Sequence, residues 1–181
     1  MTLPSVLSAI DLPPAELYAA RLDGELFAIG GAFLAVDEIE QPRHRAAAAL
    51  AGLQDRLIAE RLSAAWVWGA MDAPPARHQF CVGTGSRVGH SAVRWMTVRE
   101  VVIEREEIVD LDGGLVTSPL RTVVDLVRFG DRFDEAETGI VRRLAALGGV
   151  RLDDAARTIE ARRNLPGKRR ALARLRQCGL S

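Results

Sequence analysis

Residues 113–128 read GGLVTSPLRTVVDLVR, and no other stretch leaves the backbone so little choice. A Gly-Gly pair turns the chain into Leu115-Val116-Thr117, a short β-branched strand. Ser118 can accept a hydrogen bond from a free helix amide, and Pro119 loses no needed donor at the first helical position. The strand therefore stops and a helix starts within two residues. In that helix Leu120, Val123, Val124 and Val127 share one face, which places Arg121 and Arg128 elsewhere on the surface. Read physically, the corner is a packing device.

The remaining pattern predicts an α+β chain. Leu3 to Ile10 reads as a short helix, and Ala15 to Leu22 as a second one, opened by Asp11 and Pro13-Pro14 and ended near Gly24. Glu25 to Val36, with Gly30-Gly31 at its centre, reads as a hairpin. Pro42 to Leu53 and Ser63 to Ala70 are helical. Trp66 and Trp68, two apart, should face different sides, with one in the core and one covering the junction to the N-terminal part. Strands are expected at Gln79 to Val82, Val93 to Trp95, Val101 to Glu104, Ile108-Val109 and Leu115 to Thr117, in a mixed or antiparallel sheet. Helices follow at 119–129, 133–147, 152–163 and 167–177, with Gly148-Gly149 and Pro166-Gly167 as breaks.

The composition excludes several classes. At 181 residues and 48% hydrophobic content the chain can bury a core, and no apolar run reaches the ~18–20 residues of a membrane span. The first residues lack the basic region of a signal peptide, so the expected location is the cytoplasm. Cys81 and Cys178 have no metal-ligand spacing and are read as free thiols, Cys81 as a small buried hydrophobe. The net charge of zero hides an asymmetry. Residues 1–60 carry four Arg against nine acids, whereas residues 151–181 carry nine Lys/Arg against three. Concentrated basic surface is therefore expected only at the C-terminus.

No catalytic or metal constellation emerges, and no cofactor is expected. Gly83, Gly85 and Gly89 are spaced loosely and precede a strand, so the helix end that would hold a phosphate is missing; they and Arg87 and His90 read as a connecting loop. Asp110 and Asp112, near Glu104, Glu106 and Glu107, read as turn chemistry. His44, His78 and His90 are dispersed, and Cys81 near His78 lacks a second pair for zinc. Ser63, Ser86, Ser91 and Ser118 sit in no nucleophile-elbow context.

Three stretches occur in a familiar order: LYAARLDGELFAIGGAFLAV from Leu17, ERLSAAWVWG from Glu60, and VTSPLRTVVDLVR from Val116. Together with their spacing they span most of residues 12–130, and the chain resembles the AbiEi-type antitoxins of bacterial type IV toxin–antitoxin systems, especially their short actinobacterial relatives. The resemblance implies a reduced winged helix–turn–helix module over residues 1–40 and an antitoxin C-terminal-like domain over 41–181. It further implies a non-enzymatic transcriptional regulator that binds double-stranded DNA and offsets a nucleotidyltransferase-type toxin. Longer relatives append a Vsr-like endonuclease domain, which is not expected in a chain of this length.

For phosphate contact the charge distribution nominates Arg162, Arg163, Lys168, Arg169, Arg170 and Arg174, with Arg21 as the N-terminal candidate. On the last helix Arg169, Arg170 and Arg174 are expected to share a face while Leu172 and Leu175 point inward. Pairing of these arginines with the acidic N-terminal part is the competing expectation. The presumptive recognition helix offers Glu16, Tyr18 and Arg21 in an acidic stretch that repels DNA. This leaves an alternative from another class: a protein-interaction module, without DNA binding, that docks a basic partner on its acidic N-terminal face.

Overall fold

The computed structural model describes residues 4–85, 94–130 and 133–179 and shows an α+β fold. The N-terminal part is a three-stranded antiparallel sheet of β1 (Val6–Leu7), β2 (Leu26–Ile29) and β3 (Ala32–Ala35), in the order β1-β3-β2. Helix α1 (Pro14–Leu22) connects β1 to β2. The expected helix over Leu3 to Ile10 is absent from the described part of that segment. Its apolar spacing suits a helix, but Val6 and Leu7 instead pair with Leu34 and Phe33, and Asp11 closes a turn by accepting from the Ser8 amide (2.8 Å) and hydroxyl (2.9 Å). A pairing nearly thirty residues away wins over local periodicity, so among the described residues one helix, not two, precedes the hairpin.

The second sheet is mixed and runs β6-β5-β4-β8-β7. Its strands are β4 (Ile58–Ala59), β5 (His78–Gly83), β6 (Met96–Val101), β7 (Ile108–Leu111) and β8 (Gly114–Thr117). The central strand, β4, is two residues long and has no counterpart in the sequence reading. One strand, β6, stands where two were expected: it lies between Val93–Trp95 and Val101–Glu104, shares only Val101 with the second, and Val93 falls outside the described residues. The β7–β8 turn follows from its residues: Asp112 and Gly113 both have positive φ (54° and 91°), and the Gly113 amide donates to Asp110 Oδ1 at 2.7 Å. Past Ser118, which accepts from the Arg121 amide at 3.3 Å, helix α4 (Pro119–Phe129) begins as the sequence requires.

Helix α2 (Pro42–Leu50) and α3 (Arg61–Val67) pack near the junction of the two sheets, and α5 (Glu135–Leu147), α6 (Leu152–Ala161) and α7 (Lys168–Gln177) enclose α4. Two apolar clusters result. One runs from Val6, Ile29 and Leu34 of the first sheet through Trp66 to Phe80 and Val116 of the second, so packing continues across residue 40. The other gathers Val123, Val127, Leu144, Ile159 and Leu175 around α4. Trp66 is the indole at the N-terminal junction, where a Cβ on Gly30 would come within 2.9 Å of its ring. Trp68 touches both clusters and donates its Nε1 hydrogen to the Thr117 carbonyl at 2.9 Å. No helix among the described residues is long and apolar enough to cross a membrane.

Candidate functional site

Helix α4 was expected to bury one face, but every residue from Arg121 to Arg128 is buried. Arg121 and Arg128 are thus inside the molecule, in a layer of charge between α4 and the second sheet. Arg121 donates from Nε to Asp125 Oδ2 at 2.8 Å, one helical turn on, and from Nη1 to Glu107. Glu107 takes a second arginine, Arg162 of the α6 end, at 2.8 Å. On the sheet side, fully buried Glu60 receives Arg99 as a two-pronged fork (2.7 and 2.5 Å) and Arg61 Nε at 3.2 Å. The Arg99 and Arg128 guanidinium groups both stack on the Phe129 ring, 4.3 and 4.5 Å from its centre.

Among the described residues five guanidinium groups here meet three carboxylates, and burial acts against the charge of both kinds of group. Burial pushes the Asp125 carboxyl above its ordinary range, and Arg121 only partly restores it. Burial also opposes the charge on Arg121, yet Asp125 and Glu107 outweigh it and hold that group firmly protonated. Arg128 shifts down, first through burial and then through the nearby Arg121, Arg162 and Arg99, with Asp125 opposing. Asp125 Oδ1 and Arg128 Nε are buried without a hydrogen-bond partner, and the two side chains approach only to 3.6 Å. Cys81 faces this layer, and burial together with Glu60 and Asp125 raises its thiol far out of the reactive range. Its reading as an inert buried residue fits.

The cationic candidates separate into two groups. Arg174, with 8% of its surface exposed, points inward with Ala171 and Leu175, donates to the Val127 carbonyl at 3.1 Å and stacks on Phe133. It does not share an outer face with Arg169 and Arg170, which corrects the expectation for α7. Arg170 donates to the Arg128 carbonyl at 2.9 Å, Lys168 to the Glu160 carbonyl at 2.7 Å, and Arg162 to Glu107. Arg163, Arg169 and Arg21 are exposed. Among the described residues the tail thus pairs with helix-end carbonyls and Glu107, not with the acidic N-terminal part.

What sequence reasoning missed is that these contacts form a pattern. The C-terminal carbonyls of α4 are held by Arg174 and Arg170, and those at the end of α6 by Lys168. Arg142 of α5 reaches the Gln177 and Cys178 carbonyls behind α7 (2.9 and 3.3 Å), and Arg45 of α2 reaches Trp66 and Met71 behind α3 (2.9 and 3.1 Å). Each cation satisfies orphan carbonyls and meets the negative end of a helix dipole. Basic residues near helix ends are a sequence signal for such capping, but the partner helix is set by the fold.

An open groove at the α6–α7 turn is lined by Leu165, Gly167, Lys168, Arg169 and Arg170. Helix α7 starts after Gly167 with no side-chain cap and no acid in its first turn, so three cations occupy the positive end of the helix. In the N-terminal part, α1 buries Leu17 and exposes Glu16, Tyr18, Arg21 and Leu22. The glycine loop offers no phosphate cradle where it is described, since the Gly85 amide donates to Glu100 at 3.0 Å; Arg87, Gly89, His90, Ser86 and Ser91 lie outside the described residues. Ser63, fully buried, accepts from the Gln79 amide (2.8 Å) and contacts His78 Nδ1 (3.1 Å), so it braces β5. No group of His, Cys, Asp and Glu among the described residues is arranged to hold a metal.

No protein-family profile matches the chain, and no curated protein matches it. Among solved structures it is similar to that of the RV2827C protein from Mycobacterium tuberculosis. The match has a TM-score of 0.52 and 16% identity, and covers 97% of this chain and 73% of that one. At that identity the likeness concerns the fold.

Proposed function

We propose that this chain is a non-enzymatic, cytoplasmic regulator that resembles an AbiEi-type antitoxin and contacts double-stranded DNA through the groove at the α6–α7 turn. The observation that carries the proposal is the start of α7. Lys168 and Arg170 already reach the carbonyls behind α6 and α4, but Arg169 stands exposed at the positive end of α7 with no acid in that turn, a position that favours an anion. A phosphate backbone supplies that anion, and exposed Arg163, in the same α6–α7 connection, is available to extend the contact. Arg174 is buried against the Val127 carbonyl and Arg162 is paired with Glu107, so neither is assigned a phosphate. Counteraction of a nucleotidyltransferase-type toxin follows from the family resemblance and from no feature of the groove.

The test is fluorescence anisotropy with the chain's own upstream DNA and a scrambled duplex across a salt series. A tenfold preference for the upstream DNA, about 1.4 kcal/mol, is expected of a specific regulator. Replacing Arg163 and Arg169 with Gln is expected to reduce the slope of log affinity against log salt by about two, near one per lost phosphate contact. Unchanged slope removes the groove from consideration.

One observation favours the second reading. The acidic N-terminal part displays Leu22 and Ile39 with 87% and 78% of their surface exposed, beside exposed Tyr18 and Val36. Apolar side chains set among Glu16, Asp23, Glu25, Asp37 and Glu38 suit a basic protein partner better than a phosphate backbone. Absence of DNA binding at low salt would put this reading first.

A further inference from the structure

A second concave site lies where the start of α3 meets β5, the end of α4 and α5. Its volume is about 350 Å³, within the ~300–1,000 Å³ of small-molecule pockets and toward their smaller end. Leu62, Leu126, Phe129, Phe133 and Ile140 make most of its wall apolar. The polar groups converge on one side. Arg61 is held by Nε to Glu60 at 3.2 Å, but Glu60 is already occupied by the two-pronged fork of Arg99. The two terminal nitrogens of Arg61 have no partner among the described residues, although the side chain is largely buried and lines the cleft. Its backbone, at φ 47°, sits in the left-handed region that a side chain such as arginine rarely adopts. Gln79 uses its Oε1 to accept from the Leu62 amide at 2.9 Å, which turns its side-chain NH₂ toward donation. Among the described lining residues the one carboxylate, Glu137, is engaged by the Asp134 amide at 3.2 Å.

We infer that this cleft binds a small, planar, mainly apolar carboxylate: its ring lies among Leu62, Phe129 and Ile140, and its carboxylate takes the fork offered by Arg61. A planar guanidinium with two free amino groups matches a carboxylate in a bidentate way. An unstrained backbone would serve if Arg61 only balanced Glu60, since Arg99 already does so. The inference concerns an effector site and does not depend on whether the groove contacts DNA.

The experiment titrates the full chain with 2-naphthoate and with neutral 2-naphthamide by calorimetry, and maps amide shifts by NMR. Saturable one-to-one binding of naphthoate with a Kd below about 1 mM is expected, with naphthamide at least tenfold weaker. Arg61→Gln should erase the difference between the two, and Ile140→Trp, which fills the cleft, should remove both. If Ile140→Trp does not fold, the shifts in the unaltered protein decide, and they are expected at Leu62, Gln79 and Ile140. No saturable binding, equal naphthoate affinity in Arg61→Gln, or shifts centred on Arg163 and Arg169 would each overturn the inference.

Discussion

Asp125 answers to two arginines and one helix, and its removal measures what the buried charge layer contributes. Asp125→Ala leaves Arg128 facing Arg99, Arg121 and Arg162 with no nearby carboxylate. Breaking a buried pair from one side costs about 3–5 kcal/mol, so urea unfolding of this variant is expected to lose at least about 3 kcal/mol. A loss under about 1 kcal/mol would show that apolar contacts alone hold α4. His78 gives a pH signal of defined sign. It is half-buried between Trp66, Phe80 and Trp95, and burial lowers its pKa. The unfolded chain therefore takes up the proton first, so His78 stabilises the fold above about pH 6.5, and that contribution is lost as pH falls through the lowered folded value. Stability measured between pH 7.5 and 5 should fall less steeply in His78→Gln, and an identical slope would exclude His78 as the titrating group.

At the scale of elements, local signals were readable where one residue type has one use. Ser118-Pro119 starts α4, Asp110 with Asp112-Gly113 closes the β7–β8 turn, and Pro14 and Pro42 open their helices. Pairing between distant strands left no such mark. Two residues of β1 were mistaken for helix, and two residues of β4 were passed over although they form the middle of a five-stranded sheet. The candidate site suffered in a related way. A count of arginines locates charge along the chain but does not say whether a guanidinium meets water or a helix end, which is why Arg174 was grouped with Arg169. Thermal or urea unfolding separates them. Arg174→Met loses charged hydrogen bonding behind α4 and is expected to cost about 1.5–3 kcal/mol. Arg163→Met, at an exposed position, should stay within about 0.5 kcal/mol. Equal costs would contradict the capping role.

For the whole molecule, the relevant fact is that Trp66 lies against the Gly30 turn in a cluster shared by both sheets. The family resemblance implies a module boundary at residue 40, and Ile29, Leu34, Phe80 and Val116 from either side of it belong to one apolar cluster. Unfolding is therefore expected as a single calorimetric transition, and residues 41–181 expressed alone should bind a hydrophobic dye through the face left by the first sheet. Two separated transitions would show that the N-terminal part folds on its own. Lys168 adds a practical handle. It is the one lysine in the sequence, and its amine is held by the Glu160 carbonyl at the end of α6. An acylating reagent has no other side-chain amine to attack, so the label mapped to Lys168, read apart from the α-amine, measures how far the Glu160 carbonyl holds that amine back from solution.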